Sequence, residues 1–377
     1  MKGKQGLVCM GLLLVLSSCH TGKQITASGL QQKDFQTEVN GQHTDLFTLS
    51  NKQGMEVCIT NYGARVVSIL VPDRNGKRED VVCGFSTITE YMEQRQNFGS
   101  TVGRYIGRIL NARFTLDGVE YKLVPNNGKS GHISHGGNPG FADRIWKVEQ
   151  ADTHRVRLSY LSPDGENGFP GNLKVTLVYS LGEDDNALDL TYEATTDAPT
   201  VLNLSHHSFF NISGNFTKSV EDQQLWVDAD RFTPYDDKKC VTGEYLPVAG
   251  TPLDFRMPHT IGECIDADHP QLKVVNGYDH TWELNTKGDD TRPAAWVYDP
   301  ASGRKMEIFT TEPGMQIYTG NGLKGKMTGK GGIAYPFRSA VCFETMHFQD
   351  SPNQPGFPST VLRPGEVFRS HTVYKFE

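Results

Sequence analysis

The sequence predicts an all-β protein, a sandwich or a barrel. Three observations carry this. Short runs of strand-forming residues recur along the chain, broken by turn residues such as Pro72-Asp73-Arg74-Asn75-Gly76. The 377 residues include 39 Gly and 19 Pro, which act as punctuation. No long amphipathic helical pattern follows the N-terminal region.

The N-terminal region is read separately from the fold. Lys2 and Lys4 precede the apolar run 7–16, and Leu16-Ser17-Ser18-Cys19 follows. The run is too short to span a bilayer and suits the core of an export signal. Leu-Ser-Ser-Cys resembles the lipobox of bacterial lipoproteins. Residues 1–18 are therefore expected to be a lipoprotein signal peptide, with Cys19 as the lipidated first residue of the mature chain. Residues 19–33 are expected to be that cysteine and a polar, flexible tether, and 34–377 a single β domain. The expected location is the cell envelope, lipid-anchored at the periplasmic side or the outer membrane.

Within the domain, strands are expected at Leu46–Leu49, Met55–Thr60 and Val66–Val71. A hairpin is expected around Asp117-Gly118, between Phe114–Leu116 and Tyr121–Leu123. Further strands are expected at Val156–Leu161, Leu173–Ser180, Leu188–Ala194, Val297–Tyr298, Met306–Thr310 and Gln316–Thr319. No internal repeat and no linker rich in Pro, Gly or Ser divides the chain.

Composition excludes some functions. The net charge is −7 and no basic run is present, which argues against a nucleic-acid partner. Seven cysteines include Cys9 and Cys19; the remainder, Cys58, Cys83, Cys240, Cys264 and Cys342, is an odd set with no C-x-x-C spacing. Neither a disulfide framework nor a zinc site is expected. There is no phosphate loop, no dinucleotide fingerprint and no G-x-S-x-G elbow.

Three stretches hold candidate chemistry. In R-S-A-V-C-F-E-T-M-H-F-Q-D (338–350), strand alternation puts Ala340, Cys342 and Glu344 on one face and Val341, Phe343 and Thr345 on the other. A carboxylate among apolar neighbours is costly unless it is paired or used. In P-T-V-L-N-L-S-H-H-S-F-F-N (199–211), Leu202, Leu204, His206, Ser208 and Phe210 share a face that looks like core. The other face, Asn203, Ser205, His207, Phe209 and Asn211, either meets solvent or lines a cleft. In the third stretch, Arg104 and Arg108 precede His135-Gly136-Gly137, where a tight turn lets a ligand come close. Read alone, His135 is first a solvated turn residue and His207 first an exposed strand residue. Together with Glu344 they suggest acid–base work, and aromatics with Asn, Gln, Asp and Arg in a β cleft suit a sugar.

The chain resembles the aldose 1-epimerase (galactose mutarotase) family over nearly all of residues 40–377. The matching stretches, in the family's order, are V-G-R-Y-I-G-R-I (102–109), H-G-G-N-P-G-F (135–141), N-L-S-H-H-S-F-F-N-I (203–212), T-P-L-D-F-R (251–256), N-G-Y-D-H-T-W-E-L (276–284), M-Q-I-Y-T-G-N (315–321), F-E-T-M-H-F-Q-D-S-P-N (343–353) and P-S-T-V-L-R-P-G-E (358–366). The resemblance implies a large antiparallel β-supersandwich. It implies a cofactor-free mutarotase of free aldoses, with Glu344 as general base and His207 as general acid. It places sugar contacts on Arg108, His135, Asp279 and Gln316. The expected partner is a free aldose, and the chain is expected to act as a monomer. No cofactor is implied; a bound Ca²⁺ would have to use loop carboxylates and carbonyls without a compact motif. Three positions depart from the family. Gly107 replaces an Asn, which loses a sugar contact or moves it elsewhere; Ser134 replaces a Leu; and His206 replaces an Asn.

Other classes stay open at this point. One is a sugar-binding lipoprotein without catalysis. Another is an epimerase of sugar phosphates, for which Arg104, Arg144 and Arg338 are the available cations. A glycoside hydrolase would commonly use two carboxylates, with Asp254 and Asp279 as partners for Glu344.

Overall fold

The computed structural model describes residues 25–377. Cys19 and the expected signal segment lie outside them. The fold is built almost entirely of antiparallel strands, with two short helices at Ile88–Gln94 and Pro270–Val275.

One layer is a nine-stranded sheet. Its order is Lys147–Ala151, Arg155–Ser162, Leu173–Leu181, Ala187–Thr196, Phe368–Phe376, Lys305–Thr310, Ala295–Tyr298, Gln224–Val227 and His259–Thr260. In Ala187–Thr196 buried and less buried residues alternate almost without a break, as a strand with one solvated face requires. The second layer is a six-stranded sheet, ordered Phe209–Phe210, Val341–Met346, Gly314–Tyr318, Asp279–Glu283, Arg231–Thr233 and Leu246–Pro247. Here Val341–Met346 is buried at every position. Its Val341 and Phe343 face joins Ile317 and Trp282 in the core shared with Leu190 and Tyr374 of the large sheet. Tyr374 Oη donates to the carbonyl of Phe343 at 3.0 Å and ties the layers together. The opposite face carries Glu344 and is closed by other loops rather than by solvent.

The sandwich alternative holds, and the expected strands form with ends shifted by a residue or two. The hairpin at Asp117-Gly118 forms with Leu116 opposite Val119 and positive φ at both turn residues (50° and 81°), the pairing that a two-residue turn of this hand needs.

Part of the expected tether is corrected. From Ile25 the chain packs on the domain. Leu30 is buried, and the Ala27 and Ser28 amides donate to the Glu56 carboxylate at 2.9 and 3.0 Å. The polar composition hid this, because backbone amides and the single apolar anchor Leu30 make much of the contact.

Arg65 fixes a loop that borders the site. It is 1% exposed, and its Nη1 donates to the carbonyls of Gln96 and Phe98 at 2.6 and 3.1 Å. Its Nη2 donates to the carbonyl of Ala142 at 2.7 Å. Arg65→Ala leaves three carbonyls without donors and should destabilise the protein by about 3–5 kcal/mol. A urea midpoint equal to that of the unchanged chain would contradict this.

Candidate active site

The pocket sits on the face of the six-stranded sheet that points away from the large sheet. Register builds its floor. Gln316 lies opposite Glu344, and Thr281 lies opposite Gln316. Directly paired residues share a face, and so do residues two apart, so Asp279, Thr281, Gln316, Tyr318, Cys342, Glu344 and Met346 all point the same way. The parity read for Ala340, Cys342 and Glu344 therefore holds.

The wall carrying His207 is a surprise of topology. The stretch 199–211 is not one strand. Thr200–Val201 pairs with Val361–Leu362, Ser205–His207 with Ser100–Val102, and Phe209–Phe210 with Val341–Cys342. The chain thus steps from one partner to the next, and its polar face divides. Asn203 clamps the backbone of His347, accepting from its N–H and donating to its carbonyl, and Asn211 donates to the carbonyl of Ser339. Of that face, His207 and Phe209 line the pocket. His206 is a satisfied core histidine, bonded to Ser208 Oγ at 2.6 Å.

A third element brings Arg108 and His135 together. The two-residue strands Arg108–Ile109 and Ile133–Ser134 pair with Arg108 opposite Ser134, and the His135 amide donates to the Gly107 carbonyl at 2.9 Å. The tight turn is present, with positive φ at His135, Gly136 and Gly137, and Gly136 allows close backbone packing. A Cβ on Gly136 would lie 1.9 Å from the carbonyl oxygen of Gly103.

The resulting cavity is about 250 Å³, room for roughly eight waters or one small polar ring. Arg108, His135, His207, Asp279, Gln316 and Glu344 all line it. His207 Nε2 stands 3.3 Å from Glu344 Oε1. These residues are 6% and 4% exposed. The His207 ring stacks on Phe209 at 5.1 Å and meets the His135 ring edge-on at 5.5 Å, which limits its rotation.

Burial governs the protonation of the pair. Burial pushes the Glu344 carboxyl well above the usual range, Asp279 adds to this, and Arg108 opposes it. Burial, with His135 next, pushes His207 well below the usual range. Both groups are thereby driven towards their neutral forms, which together hold one proton. Moving that proton from Glu344 to His207 gives a carboxylate base and an imidazolium acid with no change in total charge. His135 is pushed down to about 4 by burial and by Arg108, so it is a neutral partner. Burial opposes the Arg108 charge, but Tyr235 and Asp279 outweigh it and raise its pKa. Asp279 is raised by burial against the pull of Arg108, and its Oδ1 accepts from Gln316 Nε2 at 2.6 Å.

Among the described residues, His207, Cys342 and Glu344 place donor atoms within 4.8 Å of one another. A nitrogen, a sulfur and a carboxylate do not suit Ca²⁺, which wants an all-oxygen shell. Burial also pushes the Cys342 thiol well up, keeping it protonated.

The model of the family described as aldose 1-epimerase matches residues 45–375. The chain belongs to the aldose 1-epimerase family. It is 39% identical over 330 residues to a galactose mutarotase of Sus scrofa, covering 88% of this chain and 93% of that one. It is 36% identical over 339 residues to an aldose 1-epimerase of Escherichia coli, covering 89% and 96%. In structure it is similar to an aldose epimerase homologue from C. elegans, with a TM-score of 0.81, 31% identity, and 89% and 99% of the two chains covered. A galactose 1-epimerase from Lactobacillus acidophilus superposes with a TM-score of 0.78 at 28% identity, covering 90% and 96%.

Within this epimerase fold, sequence reasoning missed Gln96, Asn97, Tyr318 and Gln349, which also line the pocket. Tyr318 could have been found by extending the parity of the Gln316 strand by one step. Gln96 and Asn97 carry no local signal; Arg65, far along the chain, places them.

Proposed function

We infer that the protein is an aldose 1-epimerase that interconverts the α and β anomers of free aldohexoses such as glucose and galactose. The observation that carries this is the buried His207–Glu344 pair, 3.3 Å apart, in a pocket otherwise lined by groups suited to hydroxyls. The Glu344 carboxylate removes the proton from the C1 hydroxyl. The O1 electrons form the aldehyde as the C1–O5 bond breaks, and its electron pair leaves on O5. O5 takes the proton of His207. Rotation about C1–C2 presents the other carbonyl face. His207 then removes the O5 proton as O5 attacks C1, and Glu344 returns its proton to O1. The proton balance closes on these two side chains, so the cycle needs no cofactor.

Arg108, His135, Asp279 and Gln316 hold the ring. Asp279 accepts from hydroxyls, Arg108 donates, and Gln316 can do both. The three cations named for the phosphate alternative are engaged elsewhere. Arg104 is spent on Ser162, Pro163 and Pro170, Arg144 on Glu166, and Arg338 on Glu221 and Asp266. The test is polarimetry of freshly dissolved α-glucose and α-galactose. Acceleration over the spontaneous rate supports the reading, and no acceleration with any common aldose refutes it.

The pH profile follows from the shared proton. Activity falls in acid when both groups are protonated and no base remains. It falls in alkali when the shared proton is lost and no acid remains. Because His207 is depressed, the acid limb of kcat/KM should lie below the ordinary histidine value of 6.5. An acid limb above that value would contradict the assignment.

We further propose that the chain works as a monomer anchored in the cell envelope through a lipid on Cys19. The basic start, the apolar run and Leu16-Ser17-Ser18-Cys19 support the anchor. Cys19→Ala should abolish incorporation of labelled fatty acid and release the protein from membranes. Labelling that persists would refute it.

A further inference from the structure

Gly107 and Gln349 compete for one volume. Gly107 has φ of +74°, and a Cβ built there would lie 2.5 Å from Cγ of Gln349. A side chain at 107 is therefore opposed both by backbone conformation and by occupied space. Gln349 is 4% exposed and lines the sugar pocket.

Its amide has a defined direction. Oε1 accepts from the Arg108 backbone N–H at 3.2 Å, a group that can only donate. Nε2 donates to Tyr235 Oη at 2.7 Å and, at 3.3 Å, to Gln316 Oε1. Gln316 in turn donates to Asp279. One amide thus links Arg108, Tyr235, Gln316 and Asp279. Both of its N–H groups are committed, but Oε1 keeps a second lone pair for a hydroxyl donor.

We propose that Gln349 is a specificity-determining residue of the pocket. It fills the place that a side chain at position 107 would take, and its Oε1 accepts from a hydroxyl of the bound aldose. It thereby discriminates between aldoses that differ at a single ring carbon. Nothing about the acid–base pair requires this residue, so its contribution falls on binding and sugar choice. The inference rests on the epimerase reading.

The test measures kcat and KM for glucose and galactose, which differ only in the configuration at one carbon. It uses the full chain, Gln349→Ala, the similarly sized Gln349→Met, which has no amide oxygen, Gly107→Asn, and the double variant Gly107→Asn with Gln349→Ala. Loss of one hydrogen bond should change the glucose-to-galactose ratio of kcat/KM by about fivefold or more, through KM, in both the Ala and the Met variant at position 349. The double variant should be more active than Gly107→Asn alone, because removing Gln349 vacates the space that Asn needs, and Asn tolerates positive φ. The Met variant keeps about the same volume and gives the answer if the Ala variant does not fold. A ratio within about twofold of the unchanged chain in every folded variant overturns the proposal, as does a fall in kcat with KM unchanged. An unchanged chain inactive on both sugars refutes the epimerase reading instead.

Discussion

Glu344→Gln should lower kcat by about 10³- to 10⁴-fold while the protein still binds sugar. Gln has the shape of Glu and keeps hydrogen-bonding capacity, but it cannot take the O1 proton. The site also favours the exchange structurally. Burial makes a charged Glu344 expensive, so a neutral amide there should not weaken the fold. Equilibrium binding of galactose, followed by sugar NMR, should stay within about threefold of the unchanged chain, since the binding groups Arg108, Asp279 and Gln316 are untouched. A variant with full turnover would remove Glu344 from the chemistry. A variant that binds no sugar would make it a binding residue.

His207→Asn should lower kcat by about 10²- to 10³-fold, less than the change at Glu344, because water can partly protonate the departing O5. The loss should be far from additive. With Glu344 already replaced, no proton is removed from O1, and an acid waiting at O5 has little left to assist. The double variant should therefore resemble Glu344→Gln alone within about tenfold. Effects that multiply fully would mean the two groups act in separate steps. The single His207 variant should also lose the limb of the pH profile that protonation of the imidazole creates.

Much of this site was legible because its residues lie in short strands with strict alternation. Glu344 could be placed on its face from parity alone; Gln316 and Asp279 were named only by the resemblance, and the register puts them on that same face. The stretch holding His207 resisted the same treatment. Parity separated His206 from His207 correctly, yet the chain there takes three strand partners in turn, so Asn203 and Asn211 of that face became backbone clamps. Arg65, Gln96, Asn97 and Gln349 were not legible. Their positions depend on contacts across long stretches of chain, such as Arg65 with Ala142 and Gln349 with Arg108. Gly107 announced an absence in the sequence, but only packing shows what fills it. The tether was overestimated for a related reason: composition does not reveal amide groups that bind a buried carboxylate such as Glu56.

The central claim is that Glu344 and His207 address two different oxygens of one sugar ring. A crystal structure of Glu344→Gln with bound galactose tests it most directly. The account predicts the residue 344 amide at about 2.6–3.2 Å from O1 and His207 Nε2 at the same distance from O5. A well-ordered sugar with O1 and O5 both turned away from this pair would contradict it.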